Sequence, residues 1–187
     1  GPRGGDEINI PQKGKNYGWP LATWGINYSG FKIPEAKGEI VAGTEQPVFY
    51  WKDSPAVSGM AFYNSDKFPQ WQQKLFIGAL KDKDVIVMSV NGDKVTEDGR
   101  ILTDRGQRIR DVRTGPDGYL YVLTDESSGE LLKLANGNHH HFAHCGAFSE
   151  LLIPALQIWT RCPGQANVKQ IVDERCDSDI AHTKLVA

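Results

Sequence analysis

Arg108 and Arg110 stand two residues apart in the run RGQRIRDVRTGPDGYLYVLT, residues 105–124. Side chains on a strand alternate between faces, so two residues at this spacing share one face. Like charges side by side repel unless an anion or a carboxylate lies between them. One solution is local, with Asp104, Asp111 or solvent supplying the counter-charge. The other is a ligand with several carboxylates, gripped by the forked donors of arginine. A second chemistry lies near the start of the chain. Asp6 and Glu7 follow a Gly-Gly bend. Such a bend exposes backbone carbonyls beside carboxylates, the oxygen-rich setting that calcium prefers. The plain alternative is a surface loop with ordinary acidic residues.

The elements that would position these groups are strands. Residues 57–62, 74–80 and 84–90 are short apolar runs, and Asn91-Gly92-Asp93 is a tight hairpin turn after the third. Residues 94–103 return from it, giving an antiparallel meander of four strands. The pattern then restarts at 109–114, 119–123 and 130–134, with a Gly-Pro-Asp-Gly turn at 115–118. Leu75 to Leu120 and Ile86 to Leu131 are each separated by 45 residues. That is the period of four-stranded propeller blades, which bury their faces only by stacking around an axis. The predicted fold is all-β, a partial six-bladed propeller: one full blade, part of a second, and a loop-rich piece before them. Lys81 follows the second strand of the first blade, at the repeat position of Thr124-Asp125 in the next. Propeller ligand sites gather at one mouth of the channel, so Lys81 could join Arg108 and Arg110 over one anion. A lone hairpin lysine is otherwise simply solvated.

Composition bounds the rest. A chain of 187 residues with 40% hydrophobic content and a mean hydropathy of −0.42 can build one ordinary domain. A net charge of −2 offers no argument for nucleic acid, and no apolar run is long enough to span a membrane. The sequence shows neither an initiator Met nor a signal peptide at its start, so it reads as a piece of something longer. All three cysteines and all five histidines come after residue 138. A boundary is therefore expected near 134–138, dividing a propeller part, 1–134, from a non-matching tail, 135–187. Residues 167–176 in that tail could form a short amphipathic helix, and Pro154 would break or kink a helix across its apolar stretches. His139, His140, His141, His144 and Cys145 suggest a metal site. However, adjacent histidines do not easily share a tetrahedral centre, and the cysteine spacings fit no zinc pattern.

The segments GPRGGDEINI, NYGWP, residues 47–59, KLFIGALKDKDVIVMSV and RGQRIRDVRTGPDGYLYVLTDESSGELLKL together resemble the soluble PQQ-dependent aldose sugar dehydrogenases of the glucose/sorbosone dehydrogenase family. The resemblance runs from Gly1 to about Leu134 and implies the C-terminal third to two-fifths of such an enzyme. It implies pyrroloquinoline quinone (PQQ) and Ca2+ as cofactors, an aldose substrate, and a quinone or other electron acceptor. By it, Ala79, Leu80 and Lys81, together with Arg108, Ile109 and Arg110, match the grip on the cofactor's carboxylates and quinone oxygens. Tyr28 matches a position beside the cofactor. Glu7 and Tyr17 match calcium ligands, the tyrosine through its backbone oxygen. Gly1 and Pro2 match carbonyls that hold the calcium at the cofactor.

In that chemistry calcium polarises a quinone carbonyl. A histidine base takes the proton of the anomeric hydroxyl, and hydride passes to the quinone to give a lactone. Residues 1–134 contain no histidine, so no base can be assigned and the chain is expected to be inactive alone. The tail departs from the family's pattern, leaving the last blade without a visible counterpart. A periplasmic location follows from the resemblance alone. The competing expectations are a non-catalytic binding or assembly module whose exposed blade edges pair with another chain, with a homodimer as one form, and a truncated product without function.

Overall fold

The computed structural model describes residues 2–135 and the backbone of two further strands, 151–153 and 156–160. β1 (Asp6–Ile8) pairs antiparallel with β2 (Phe49–Trp51), across a long loop-rich excursion. β3 (Val57–Phe62), β4 (Leu75–Ala79), β5 (Val85–Asn91) and β6 (Lys94–Ile101) form a four-stranded antiparallel sheet in chain order. This is the expected meander. Its last turn closes on Asn91 paired with Lys94, with Gly92 at φ 59°, a conformation glycine adopts at little cost.

The second sheet contains β7 (Ile109–Thr114), β8 (Leu120–Thr124) and β9 (Leu131–Ala135). It continues through β10 (Leu151–Ile153) and β11 (Leu156–Thr160), in the order β10-β11-β9-β8-β7. β11 runs antiparallel to β9, with Ile158 opposite Leu134. The sequence reading left this sheet without a closing strand. The backbone supplies one from the tail, and strands flank Pro154 where a helix was considered. The expected helix at 167–176 and the histidine and cysteine positions 139–145 lie outside the described residues.

Alternation along β4 and β5 explains how the first blade buries both faces. Phe76, Val85 and Val87 point into a core shared with Ile109, Val112, Leu120, Val122, Leu132 and Leu134 of the second blade. Leu75, Ile77, Ala79, Ile86 and Met88 point the other way, onto Ile8 and Trp51 of the β1–β2 pair. A central strand packed on both faces reads as a continuous apolar run, as LFIGA and VIVM do. Each fully buried Leu, Ile or Phe contributes about 1.5–3 kcal/mol.

Residues 64–73 form a long connection between β3 and β4, but they are not idle. A single 3-10 turn, Pro69–Trp71, sits there, and Phe68 is wholly buried in the inter-blade core. Tyr63 donates its hydroxyl to the Gly118 carbonyl at 2.7 Å and accepts the Phe68 N–H at 3.2 Å. It thus ties this loop to the turn of the next blade.

The blades meet where β3 and β7 are both irregular. β3 shifts register between Val57 and Met60, and β7 between Ile109 and Asp111. Ser58 donates to the Ile109 carbonyl at 2.7 Å, and Arg113 donates to that of Met60 at 2.8 Å. Gly59 is required here: a Cβ on it would fall 1.8 Å from Asp111 Oδ1.

Candidate functional site

The arginine pair sits at the bulge in β7. Ile109 faces Thr124 and Asp111 faces Leu123, so Arg110 is the extra residue between them. Arg108 precedes the strand. Both arginines are exposed on either side of buried Ile109, as plain alternation predicts, and the bulge breaks that alternation only beyond Arg110.

Both side chains meet on Asp125. Arg108 donates Nε and Nη2 to Oδ2 at 3.1 and 3.0 Å. Arg110 donates Nε to Oδ1 at 3.1 Å and Nη2 to Oδ2 at 2.9 Å. The guanidinium groups of Arg110 and Arg108 hold the Asp125 carboxyl below its ordinary value. The backbone locks the arrangement: Asp125 N–H donates to the Arg108 carbonyl at 2.7 Å, and Glu126 accepts the Arg108 N–H at 2.9 Å. The expected local partners are therefore corrected. Asp111 is engaged with Arg113 at 3.2 Å and with the Val112 N–H, and the shared counter-charge comes from Asp125 at the end of β8.

Ile109, between the arginines, is buried in the core. Ala79 is also buried, and its N–H donates to the Asp84 carbonyl at 3.0 Å. Leu80 and Lys81 donate their N–H groups to the carbonyls of Ala56 and Pro55, which fixes the hairpin that carries Lys81. The Lys81 side chain is 62% exposed. It reaches the Ser54 carbonyl at 3.0 Å and lies 3.9 Å from Asp82. Among the described residues no hydrogen bond or ion pair joins it to Arg108 or Arg110.

Below this hairpin Arg100 gathers three carboxylates. It donates to Asp82 at 2.7 Å, to Asp84 at 3.1 Å and to Glu97 at 2.7 Å. Asp84 is only 4% exposed, and burial pushes its carboxyl above the ordinary value despite the Arg100 contact. Glu97 in turn accepts the Trp51 indole N–H at 2.8 Å. Tyr28 is 75% exposed, in the turn at 27–31.

Pro2, Glu7 and Tyr17 come together around a cavity of about 700 Å³ that Asp6, Asn9 and Trp19 also line. Gly1 lies outside the described residues. The Gly4-Gly5 bend has φ values of 79° and 72°, and a Cβ on Gly5 would strike the Gly25 backbone at 2.5 Å. Asp6 is already engaged, accepting the Ser54 hydroxyl and the Val57 N–H. Glu7 is less so: its carboxylate receives the Asn9 amide at 3.2 Å. Burial pushes its carboxyl up, Asn9 opposes this, and Asp6 adds to it. Tyr17 is tethered through its hydroxyl, which donates to the Ile10 carbonyl and accepts the Gln12 N–H, each at 2.8 Å.

The family profile described as Glucose / Sorbosone dehydrogenase matches residues 1–133. The chain belongs to this family. It is 97% identical over 138 residues to the aldose sugar dehydrogenase YliI of Escherichia coli K12, covering 74% of this chain and 37% of that protein. It is 42% identical over 134 residues to the uncharacterized protein slr1608 of Synechocystis, covering 72% of this chain and 32% of that protein. A crystal structure of a glucose dehydrogenase superposes with a TM-score of 0.69 at 67% identity, over 71% of this chain and 38% of that one. The family member described here therefore spans little more than a third of the relatives it matches.

Two observations test whether the residues fit the cofactors that such a resemblance implies. The two guanidiniums carry one charge more than Asp125 neutralises, and they are 44% and 49% exposed. That donor set suits a polycarboxylate. In the cavity, the Asn9 Oδ1 is buried without a hydrogen-bond partner among the described residues, and the same amide donates to the Glu7 carboxylate. An orphaned amide oxygen next to a carboxylate suits a hard cation. Among the described residues no cluster of three or more His, Cys, Asp or Glu is arranged for a metal. Calcium needs none, because carbonyl oxygens serve it equally well. Sequence reasoning missed Asp125, Asn9 and Arg100. The position of Asp125 opposite Lys81 in the repeat was the one available signal.

Proposed function

We propose that this chain is the cofactor-gripping part of a PQQ- and calcium-dependent aldose sugar dehydrogenase, which oxidises the anomeric carbon of a sugar to a lactone. The single observation that carries the reading is the pair of half-exposed guanidiniums held side by side by one carboxylate. Arg108 and Arg110 would bind the carboxylates of the quinone, and Lys81, on its hydrogen-bonded hairpin, would supply a third cation. Glu7, Tyr17 and Pro2 would hold calcium at the cavity. Such a quinone, when bound, would supply the electron-acceptor chemistry that oxidation of the sugar requires.

The residues described contribute binding and orientation, which convert an encounter into a fixed geometry. They do not contribute the base, because residues 1–134 contain no histidine. The chain alone is accordingly expected to bind cofactor without turning over sugar.

The test is a titration of the chain with PQQ in calcium-containing buffer, read by quenching of its tryptophan fluorescence. Saturable binding is expected, and it should fall at least tenfold in the Arg108→Ala, Arg110→Ala double variant. Equal binding by wild type and double variant would refute the reading. A dye-linked assay with an aldose completes it: turnover by the chain alone would contradict the missing base.

A further inference from the structure

The geometry points to Asp125 as a positioning residue of the anion site, one that holds Arg108 and Arg110 ready for a ligand without blocking them. The inference rests on the anion-binding reading given above. Asp125 meets the two guanidiniums only through their Nε and Nη2 atoms. The Nη1 group of each arginine has no hydrogen-bond partner among the described residues, and the two side chains are 44% and 49% exposed. Each arginine thus spends one edge on Asp125 and keeps the other for solvent or a ligand.

The hold on the pair is stiff. Asp125 Oδ2 accepts from both arginines, and its own N–H is fixed to the Arg108 carbonyl at 2.7 Å. Without this carboxylate the two cations would repel and swing apart. A flexible arginine loses side-chain entropy when a ligand immobilises it. Asp125 imposes that loss during folding, before the ligand arrives. The arrangement also differs by blade: the corresponding repeat position carries Lys81, whose cation faces the Ser54 carbonyl. One blade presents its cation directly. The next uses the same place for an anion that organises two cations.

Electrostatics alone predicts the opposite outcome, which makes the inference testable. Removing a negative charge from an anion site should tighten anion binding. If Asp125 positions the arginines, its removal should weaken binding instead. PQQ is titrated into the wild-type chain and into Asp125→Ala, Asp125→Asn and Asp98→Asn, all in calcium-containing buffer. Asp98→Asn removes the same charge from a distant strand. Asp125→Ala should lose tenfold or more, Asp125→Asn should recover part of that loss, and Asp98→Asn should match wild type. Equal or tighter binding by Asp125→Ala overturns the inference.

The arginine Nε–H resonances provide a readout that needs no ligand. Arg108 and Arg110 should show slow solvent exchange in the wild type and fast exchange in Asp125→Ala. Identical exchange in the two proteins overturns the positioning role whatever the titration shows. Absence of PQQ binding by the wild type, with the exchange difference intact, would instead overturn the choice of ligand.

Discussion

Ser58 on β3 donates its hydroxyl to the carbonyl of Ile109 on β7 at 2.7 Å, so the residue between the two site arginines hangs from the neighbouring blade. The contact joins two irregular strands at the point where Gly59 admits Asp111. Ser58→Ala should cost about 1 kcal/mol, the usual net worth of one such bond. Gly59→Ala should cost more, about 1–3 kcal/mol, because the added carbon overlaps Asp111 and forces the blades apart. Urea denaturation read by tryptophan fluorescence would rank the two variants. The reverse order would mean that the hydroxyl matters more than the fit.

Tyr63 is buried, and its hydroxyl serves both Gly118 and Phe68. Tyr63→Phe keeps the ring in the aromatic cluster but leaves a carbonyl and an N–H without their partner. The expected loss is about 2 kcal/mol, seen as a lower urea midpoint with an unchanged slope. A neutral result would show that water replaces the hydroxyl at this turn.

Asp98 accepts hydrogen bonds from Lys74 and Ser89, each at 2.7 Å. Lys74 first, then Ser89, hold its carboxyl below the ordinary value. A depressed native value stabilises the fold fully above the unfolded value, about 3.9, and that stabilisation is lost as pH falls through the native value. Wild type should therefore exceed Asp98→Asn in stability at neutral pH, by about 1 kcal/mol or less for so exposed a pair. The gap should close below about pH 4. Denaturation midpoints across that range would show it, and a gap that widens in acid would contradict the assignment.

Calcium should stabilise the chain through Glu7. At a hundredfold excess over its dissociation constant a ligand adds about 2.7 kcal/mol, or roughly 5–10 °C in Tm for a domain of this size. Glu7→Gln should lose that shift while melting normally in chelator. Thermal scans with calcium and with EGTA would decide, and an equal shift in the variant would move the ion away from Glu7.

Much of the fold was legible because its signals are local. The unbroken apolar runs of β4 and β5, the Asn-Gly turn after them and the 45-residue echo in β8 and β9 each sit within one stretch of chain. The arginine pair was legible by type, but its partner was not. Asp125 lies 15 residues beyond Arg110, and only closure of the β7–β8 hairpin with its bulge brings it back. Nearer carboxylates such as Asp111 looked better placed and proved to be used by Arg113. Asn9 gave no signal at all, since a lone amide matters only once the fold removes its water. The pairing of β11 with β9 was equally hidden, because strand order in a sheet depends on distant chain and not on local pattern.

The outer strand β6 bears on how such a piece behaves when concentrated. Its Lys94, Glu97, Asp98 and Arg100 place charge of both signs along the open side of the first blade, and Asp98 is an extra residue that interrupts the ladder. A strand that lies at the sheet edge among the described residues and is so armed is a poor template for another. The open flank of this partial wheel should resist polymerising into fibrils, and any self-association should have to begin on some other face.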